Sequence, residues 1–337
     1  MKKTAAILAL AGLAGLAGLA APAQSAEFEL KISTMFPSTH FIQTLGLEPW
    51  AEAIKERTDG RVNFTFFPAG SSMGDATRQF DQARSGVVDV SVGIPAIPRG
   101  RHPRSVLIEL PFTVPDSEIG TCALMKVQEE VKPDYPDTHI LYLTVTQPSA
   151  AHTTERIETL DDLKGKRIRT PTPAITAMLE EIGATPVGMP PTEIYESVER
   201  GVVDGNIMPW GPVGAFKLWE VLEYHLDAGI NPVAMYIVFN QEKYDALPDD
   251  IRKVIDDTSA EFFANWGRWW METDEEAIEA AKANGNEVIP MSDEARAEWQ
   301  ERLQPVIDNY LAKDSDLPQE EAEAIYAAML EAVTECE

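Results

Sequence analysis

The chain has 337 residues, 44% hydrophobic and 25% charged, with 28 Lys+Arg against 55 Asp+Glu and a formal net charge of −27. That composition is globular rather than disordered, and the length suggests two domains. The acidity excludes nucleic acid and anionic membrane surfaces as partners, because no basic footprint is present to neutralise phosphates.

Residues 1–26 read as a secretory signal. Lys2 and Lys3 supply the positive start and residues 5–21 are apolar. Small residues at Ala21, Ala23, Ser25 and Ala26 set a cleavage zone between Ala23 and Glu27. The stretch is short and Gly-rich for a membrane anchor, and no later run reaches the apolar length of a span. The mature chain is expected to begin near Glu27, and losing two lysines takes the net charge from −27 to −29. Cys122 and Cys336 then meet an oxidising compartment, where they either pair or stay as buried thiols. Two cysteines are too few for a cysteine-rich metal site.

From Phe28, FELKIST alternates as a strand does. MFPSTHF is a loop, a helix follows near Leu45 to Thr58, and Gly60 is placed to cap it. RVNFTFFP is a second alternating strand, stopped by Pro68. GSSMGD leads into a helix with Asp75 as N-cap, Gly86 closes that helix, and VVDVSVG is a buried strand. This β-α-β-α-β order marks an α/β lobe with mainly parallel strands. The unit then echoes: DQARSGVVDV at 81–90 is matched by ESVERGVVDG at 196–205, with Gly86 and Gly201 115 residues apart. HILYLTV could carry the chain out of the first lobe and NPVAMYIVFNQ, at 231–241, could carry it back. Between them RIETLDDLKGKRIRTP reads as turn, short helix, turn and strand. A long helical segment opens at LPDD and ends at Gly285, and two further amphipathic helices complete the chain. Phe262, Phe263, Trp266, Trp269 and Trp270 on the long segment read as packing rather than as an aromatic cage.

Signals of catalysis are weak. Gly70-Ser71-Ser72-Met73-Gly74 fits G-x-S-x-G and would make Ser72 a nucleophile, giving a secreted serine hydrolase. Pro68 and Ala69 separate it from the strand, however, where a nucleophile elbow needs a tight turn. A Ser/Gly loop offering backbone N–H groups is the better reading. The five histidines show no metal-binding spacing, although His40 lies in a loop that could face a cleft. No nucleotide, Walker or EF-hand loop occurs, so no cofactor and no metal are expected. The sharper lead is KGKRIRTP: four basic residues, Lys164, Lys166, Arg167 and Arg169, in an acidic protein. Arg169 falls near the carboxyl end of a strand ended by Pro171, where open α/β sheets bind ligands, and guanidinium grips carboxylates in parallel; the pattern alone fits a solvated basic strand edge as well. RGRHPR at 99–104 reads as a surface loop.

Together with FPAGSSMGD, SGVVDVSVG, LPF at 110–112, TEIYESVERGVVDG and YDALPDDIRKVID, this stretch resembles the substrate-binding proteins of TRAP transporters, the periplasmic carriers for organic acids. The resemblance runs from about Leu30 to the last helices. It implies a two-lobed periplasmic-binding-protein-like α/β fold with a double crossover hinge and a long helix spanning both lobes. Lobe I would comprise 27–147 plus 234–272, and lobe II 148–233 plus 273–337 with the C-terminal helices. It implies no enzyme activity, a periplasmic location, a small organic acid as ligand and the membrane subunits of a TRAP carrier as partners. A receptor signalling through a sensor kinase would look the same in sequence.

The family's arginine stands two residues before the strand-ending proline, which carries its role as carboxylate clamp to Arg169. Departures shape the rest of the site. Sialic-acid and ectoine members have Asn where this chain has Met208 in Asp204-Gly205-Asn206-Ile207-Met208-Pro209-Trp210. A polar residue of the returning strand is replaced by Ala234 or Met235, and a second arginine of the crossover is missing near Ala150. Met189, Met208, Trp210 and Met235 are therefore expected to form an apolar wall, with Thr34, His40 and Ser72 contributed by the first lobe through loops 33–41, 70–75 and 93–98. One arginine within such walls suits a monocarboxylate with an apolar or aromatic body.

Overall fold

A computed structural model describes residues 26–170 and 172–337. The proposed cleavage zone before Ala26, the signal segment and Pro171 lie outside the described residues. Among those described, no helix is long and apolar enough to cross a membrane.

The chain folds into two sheets. The first lobe opens with strands β1 (Phe28–Thr34), β2 (Val62–Phe67), β3 (Val90–Gly93) and β4 (Thr138–Val145). The chain then crosses over into β5 (Ala150–Thr153), β6 (Arg167–Thr170), β7 (Thr185–Gly188), β8 (Gly205–Met208) and β9 (Tyr224–Asp227). It returns as β10 (Ala234–Asn240) and later adds β11 (Glu287–Pro290). The five-stranded sheet has the order β2-β1-β3-β10-β4 and the six-stranded sheet β11-β9-β5-β8-β6-β7. β1 pairs in parallel with β2 and β3, and β6 with β7 and β8. The two halves of the echo therefore occupy equivalent places, β3 and β8, each reached through a glycine with positive φ (73° at Gly86, 65° at Gly201).

Both sheets are covered on both faces, as expected when parallel strands bury two faces. In β10, Met235, Ile237 and Phe239 enter one core while Ala234, Tyr236 and Val238 enter the other. That period of two explains why the whole strand is hydrophobic and fully buried. In the second sheet, Ile168 and Ile207 pack on one side and Ala150 and Met208 on the other.

Two short crossings join the lobes, and they hold each other by backbone hydrogen bonds, Thr146 N to Val233 O at 3.0 Å and Ser149 N to Asn231 O at 2.7 Å. The long helical segment crosses the junction as two helices, Asp249–Phe263 and Trp266–Ala283, rather than one. The break at Ala264 and Asn265 is accompanied by Ser117, whose hydroxyl donates to the Gly267 carbonyl at 2.7 Å. A Cβ at Gly267 would lie 2.6 Å from the Glu118 backbone, so glycine allows the close approach.

Two expectations are corrected. The end of the chain does not belong wholly to the second lobe. Helix Asp293–Asn309 places Trp299 and Leu303 in that lobe's core, but Tyr310, Leu311 and helix Gln319–Cys336 pack into the first, where Cys336 is disulfide-bonded to Cys122. The apolar face of that last helix finds its complement on helix Ser117–Lys126. RGRHPR is likewise no free surface loop. His102 is buried among Phe80, Tyr135 and Tyr236, and Arg104 pairs with Asp134 and Glu321.

Candidate functional site

A cleft of about 430 Å³ lies where the carboxyl ends of the parallel strands of both sheets face each other. From the first lobe come Met35, Phe36 and His40 after β1, Ala69 after β2, and Ile94 and Ile97 after β3. From the second come Arg169 at the end of β6, Pro190 after β7, Met208 and Pro209 at the end of β8, and Phe216 beyond the following short helix. Thr146 and Val233 from the crossings, Met235 from β10 and Trp270 from the spanning helix line the base. The walls are thus mostly carbon and sulfur.

Arg169 is the one charged side chain among the described lining residues, and it is 5% exposed. Its Nε donates to the Met189 carbonyl at 3.2 Å and one terminal nitrogen to Asn206 Oδ1 at 3.4 Å. Both acceptors are neutral. Burial, with no acid to offset it, pulls the guanidinium pKa down to about 10, so it is still charged at neutral pH. Arg167, two residues earlier, shows the opposite treatment: it is exposed and bound by Asp204, with Nε to Oδ2 at 3.0 Å.

His40 is held by its own loop, where Nδ1 accepts from Ile42 N at 3.2 Å. Burial pushes its pKa down to about 4, which keeps the ring neutral. With Nδ1 an acceptor, the proton sits on Nε2. Its ring lies against Phe36 (centroids 4.6 Å), Phe41 (4.7 Å) and Trp270 (6.2 Å). This aromatic corner belongs to the first lobe and faces the arginine side of the second.

The remaining expected site residues fall in several places. Met208 and Met235 line the cleft. Met189 acts through its backbone carbonyl, which holds Arg169. Thr34 is fully buried just behind the lining, its hydroxyl accepting from Phe36 N at 3.2 Å and shaping the loop that carries Phe36. Trp210 is outside the lining. It starts a short helix that turns its indole into the second lobe, between His152 and His225, with Nε1 on Asp227 at 3.2 Å. The cleft tryptophan is Trp270 instead, one of the aromatic residues assigned to packing.

Ser72 is exposed and outside the lining, and no histidine hydrogen-bonds to it among the described residues. Its loop is shaped by packing rather than by a nucleophile elbow. Met73 O receives Ser33 Oγ at 2.6 Å and Gln82 Nε2 at 3.0 Å. Gly74 approaches Pro68 so closely that a Cβ would lie 2.1 Å from its carbonyl oxygen.

Sequence reasoning missed Asn206, Phe36, Phe216 and Trp270. Asn206 had a legible signal: in a short strand it stands two residues before Met208 and so shares its face.

The family model described as "Bacterial extracellular solute-binding protein, family 7" matches residues 33–314. A marine metagenome TRAP solute-binding protein specific for aromatic acid ligands, solved with metahydroxyphenylacetate, is 27% identical with a TM-score of 0.85, covering 92% of this chain and 99% of that one. A TRAP solute-binding protein from Rhodoferax ferrireducens T118, solved with copurified benzoate, is 29% identical with a TM-score of 0.84, covering 91% and 98%. The 2,3-diketo-L-gulonate-binding periplasmic protein of Escherichia coli K12 is 26% identical over 253 residues, 73% of this chain and 76% of that protein.

Proposed function

The chain belongs to the bacterial extracellular solute-binding proteins of family 7, the substrate-binding proteins of TRAP transporters, a transport family and not an enzyme family, and from that premise we propose that it captures a small monocarboxylate with an apolar or aromatic body by an Arg169 clamp and lobe closure. It would hand this acid, in the periplasm, to the membrane subunits of a TRAP carrier. The observation that carries the reading is the isolation of Arg169: a nearly buried guanidinium, bonded only to neutral acceptors, in a cleft otherwise walled by Met, Phe, Pro, Ile and Trp. A carboxylate would supply the missing counter-charge in two parallel hydrogen bonds. Its body would lie among Phe36, Met208, Phe216, Met235 and Trp270. A polyhydroxy sugar acid would leave its hydroxyls without partners against those walls, which is costly. The aromatic acids bound by the two structural relatives fit the same description.

Closure about the two crossings would bring the Phe36–His40 loop onto the ligand, exclude water and strengthen the ion pair by lowering the local dielectric. A thermal-shift and calorimetric screen of the mature chain tests this. Benzoate, phenylacetate and branched 2-keto acids should raise the melting temperature, and galacturonate and succinate should not. Stabilisation by sugar acids or dicarboxylates alone refutes the monocarboxylate assignment.

A further inference from the structure

Four neighbouring strands of the second sheet place polar residues in one row. The register sets His225 opposite His152, His152 opposite Asn206, and Asn206 opposite Arg169. The first three are 0% exposed and Arg169 is 5%. His152 Nε2 lies 3.0 Å from the Met208 carbonyl, which can only accept, so Nε2 carries the proton and Nδ1 is left as acceptor. His225 Nδ1, 2.8 Å away, is then the donor between the rings, and its Nε2, 3.2 Å from the Asn286 side chain, accepts from that amide's NH2 with the amide oxygen and nitrogen exchanged. Burial holds both imidazoles below their usual pKa, with His225 adding to the effect on His152. The row therefore contains two neutral rings, one neutral amide and one cation, and no carboxylate.

One rung away the same two strands make a different choice. Arg167 of β6 meets Asp204 just before β8, through Nε to Oδ2 at 3.0 Å and backbone N to Oδ2 at 2.8 Å. Arg169 meets Asn206. The side chains are one oxygen-for-nitrogen exchange apart, yet Asp204 neutralises its arginine and Asn206 leaves its arginine charged. Asn206 Oδ1 still accepts from the guanidinium and so sets its direction, while Nδ2 is buried without a partner.

We propose that Asn206 is the positioning residue of the anion site: its neutral amide aims Arg169 into the cleft while reserving the guanidinium charge for an incoming carboxylate. This rests on the reading of Arg169 as the carboxylate clamp. An aspartate at 206 would copy the Arg167–Asp204 rung, giving Arg169 an internal counter-ion that a ligand must displace. A leucine would remove the acceptor without adding charge.

The test uses the mature chain, its Asn206→Asp and Asn206→Leu variants and Arg169→Ala, with benzoate and benzamide as probes in calorimetry. Asn206→Asp should weaken benzoate by about 100-fold or more, because a buried charge pair must be broken to bind. Its preference for benzoate over benzamide should shrink by a similar factor, and its melting temperature without ligand should equal or exceed wild type. Asn206→Leu should weaken benzoate only about 2- to 13-fold, the cost of losing one ordinary hydrogen bond, since the contact is a long one at 3.4 Å. A role in packing alone would lower both variants and both probes together, which overturns the proposal. So does benzoate affinity in Asn206→Asp within about threefold of wild type while Arg169→Ala has lost binding; in that case the clamp stands and only the role of Asn206 falls. A wild type that binds no carboxylate overturns both.

Discussion

Replacing Arg169 by Met should make the protein more stable and unable to bind its acid. The guanidinium is 5% exposed, and burial lowers its pKa well below the ordinary arginine value, to about 10. At about 1.4 kcal/mol per unit, holding the charge there costs roughly 3 kcal/mol. Methionine removes that cost and fills much of the same volume. It also frees the Met189 carbonyl and Asn206 Oδ1, at about 1 kcal/mol each. The balance is a gain of about 1 kcal/mol, or about 1–2 °C in melting temperature for a protein of this size. Binding should change in the other direction. Deleting one partner of a desolvated charge pair costs about 3–5 kcal/mol, a loss of about 10²- to 10³-fold or more in affinity. Scanning calorimetry without ligand gives the first quantity, and the benzoate-induced shift and titration give the second. A variant that melts below wild type and still responds to benzoate would refute the account of Arg169 as a strained, unpaired clamp. Arg169→Lys should fall between the two, since an ammonium cannot reproduce the parallel fork.

Glu109 should impose a pH dependence on stability. It is fully buried, Oε1 accepts from Ala234 N at 2.8 Å, Oε2 has no partner, and burial raises its pKa from 4.5 to about 8. The folded state thus holds a proton that the unfolded chain releases above about 4.5. Wild-type stability contributed by this group is full below that value and is lost as pH rises towards 8. The melting difference between Glu109→Gln and wild type should therefore grow from pH 4.5 to 8 and then level off, and a flat difference would contradict the assignment. Breaking the Cys122–Cys336 bond, which closes a sequence separation of 214, should cost about 2–5 kcal/mol in unfolding experiments. Benzoate affinity of Cys336→Ser should stay within about twofold, because neither cysteine lines the cleft. Gly74→Ala should destabilise by about 1–3 kcal/mol, since its methyl would meet the Pro68 carbonyl. An unchanged melting temperature would show that the loop yields freely.

Much of this protein is written in short-range patterns. Strand alternation, caps such as Asp75, and the helix–glycine–strand echo at Gly86 and Gly201 arise from local backbone preference and burial period, so β1 to β3 and the matching β6 and β8 were legible directly. The basic cluster around Arg169 was conspicuous in an acidic chain, but it suited a solvated strand edge equally well; the family resemblance singled out Arg169, which lines the cleft.

Tertiary structure alone decided which side chains meet. Cys122 and Cys336 are brought together only when helix Gln319–Cys336 leaves the second lobe and docks on the first, a contact without any local signal. Trp210 and Trp270 are equally apolar in sequence. The first turns its indole into the second lobe although Pro212 and Ala215 of the same short helix line the cleft, and the second lines the cleft from the spanning helix. The contrast between Arg167 and Arg169 likewise depends on strand register, which aligns one with Asp204 and the other with Asn206. Register follows from how whole sheets bury their faces, so the free charge on Arg169 belongs to the fold and not to its own segment.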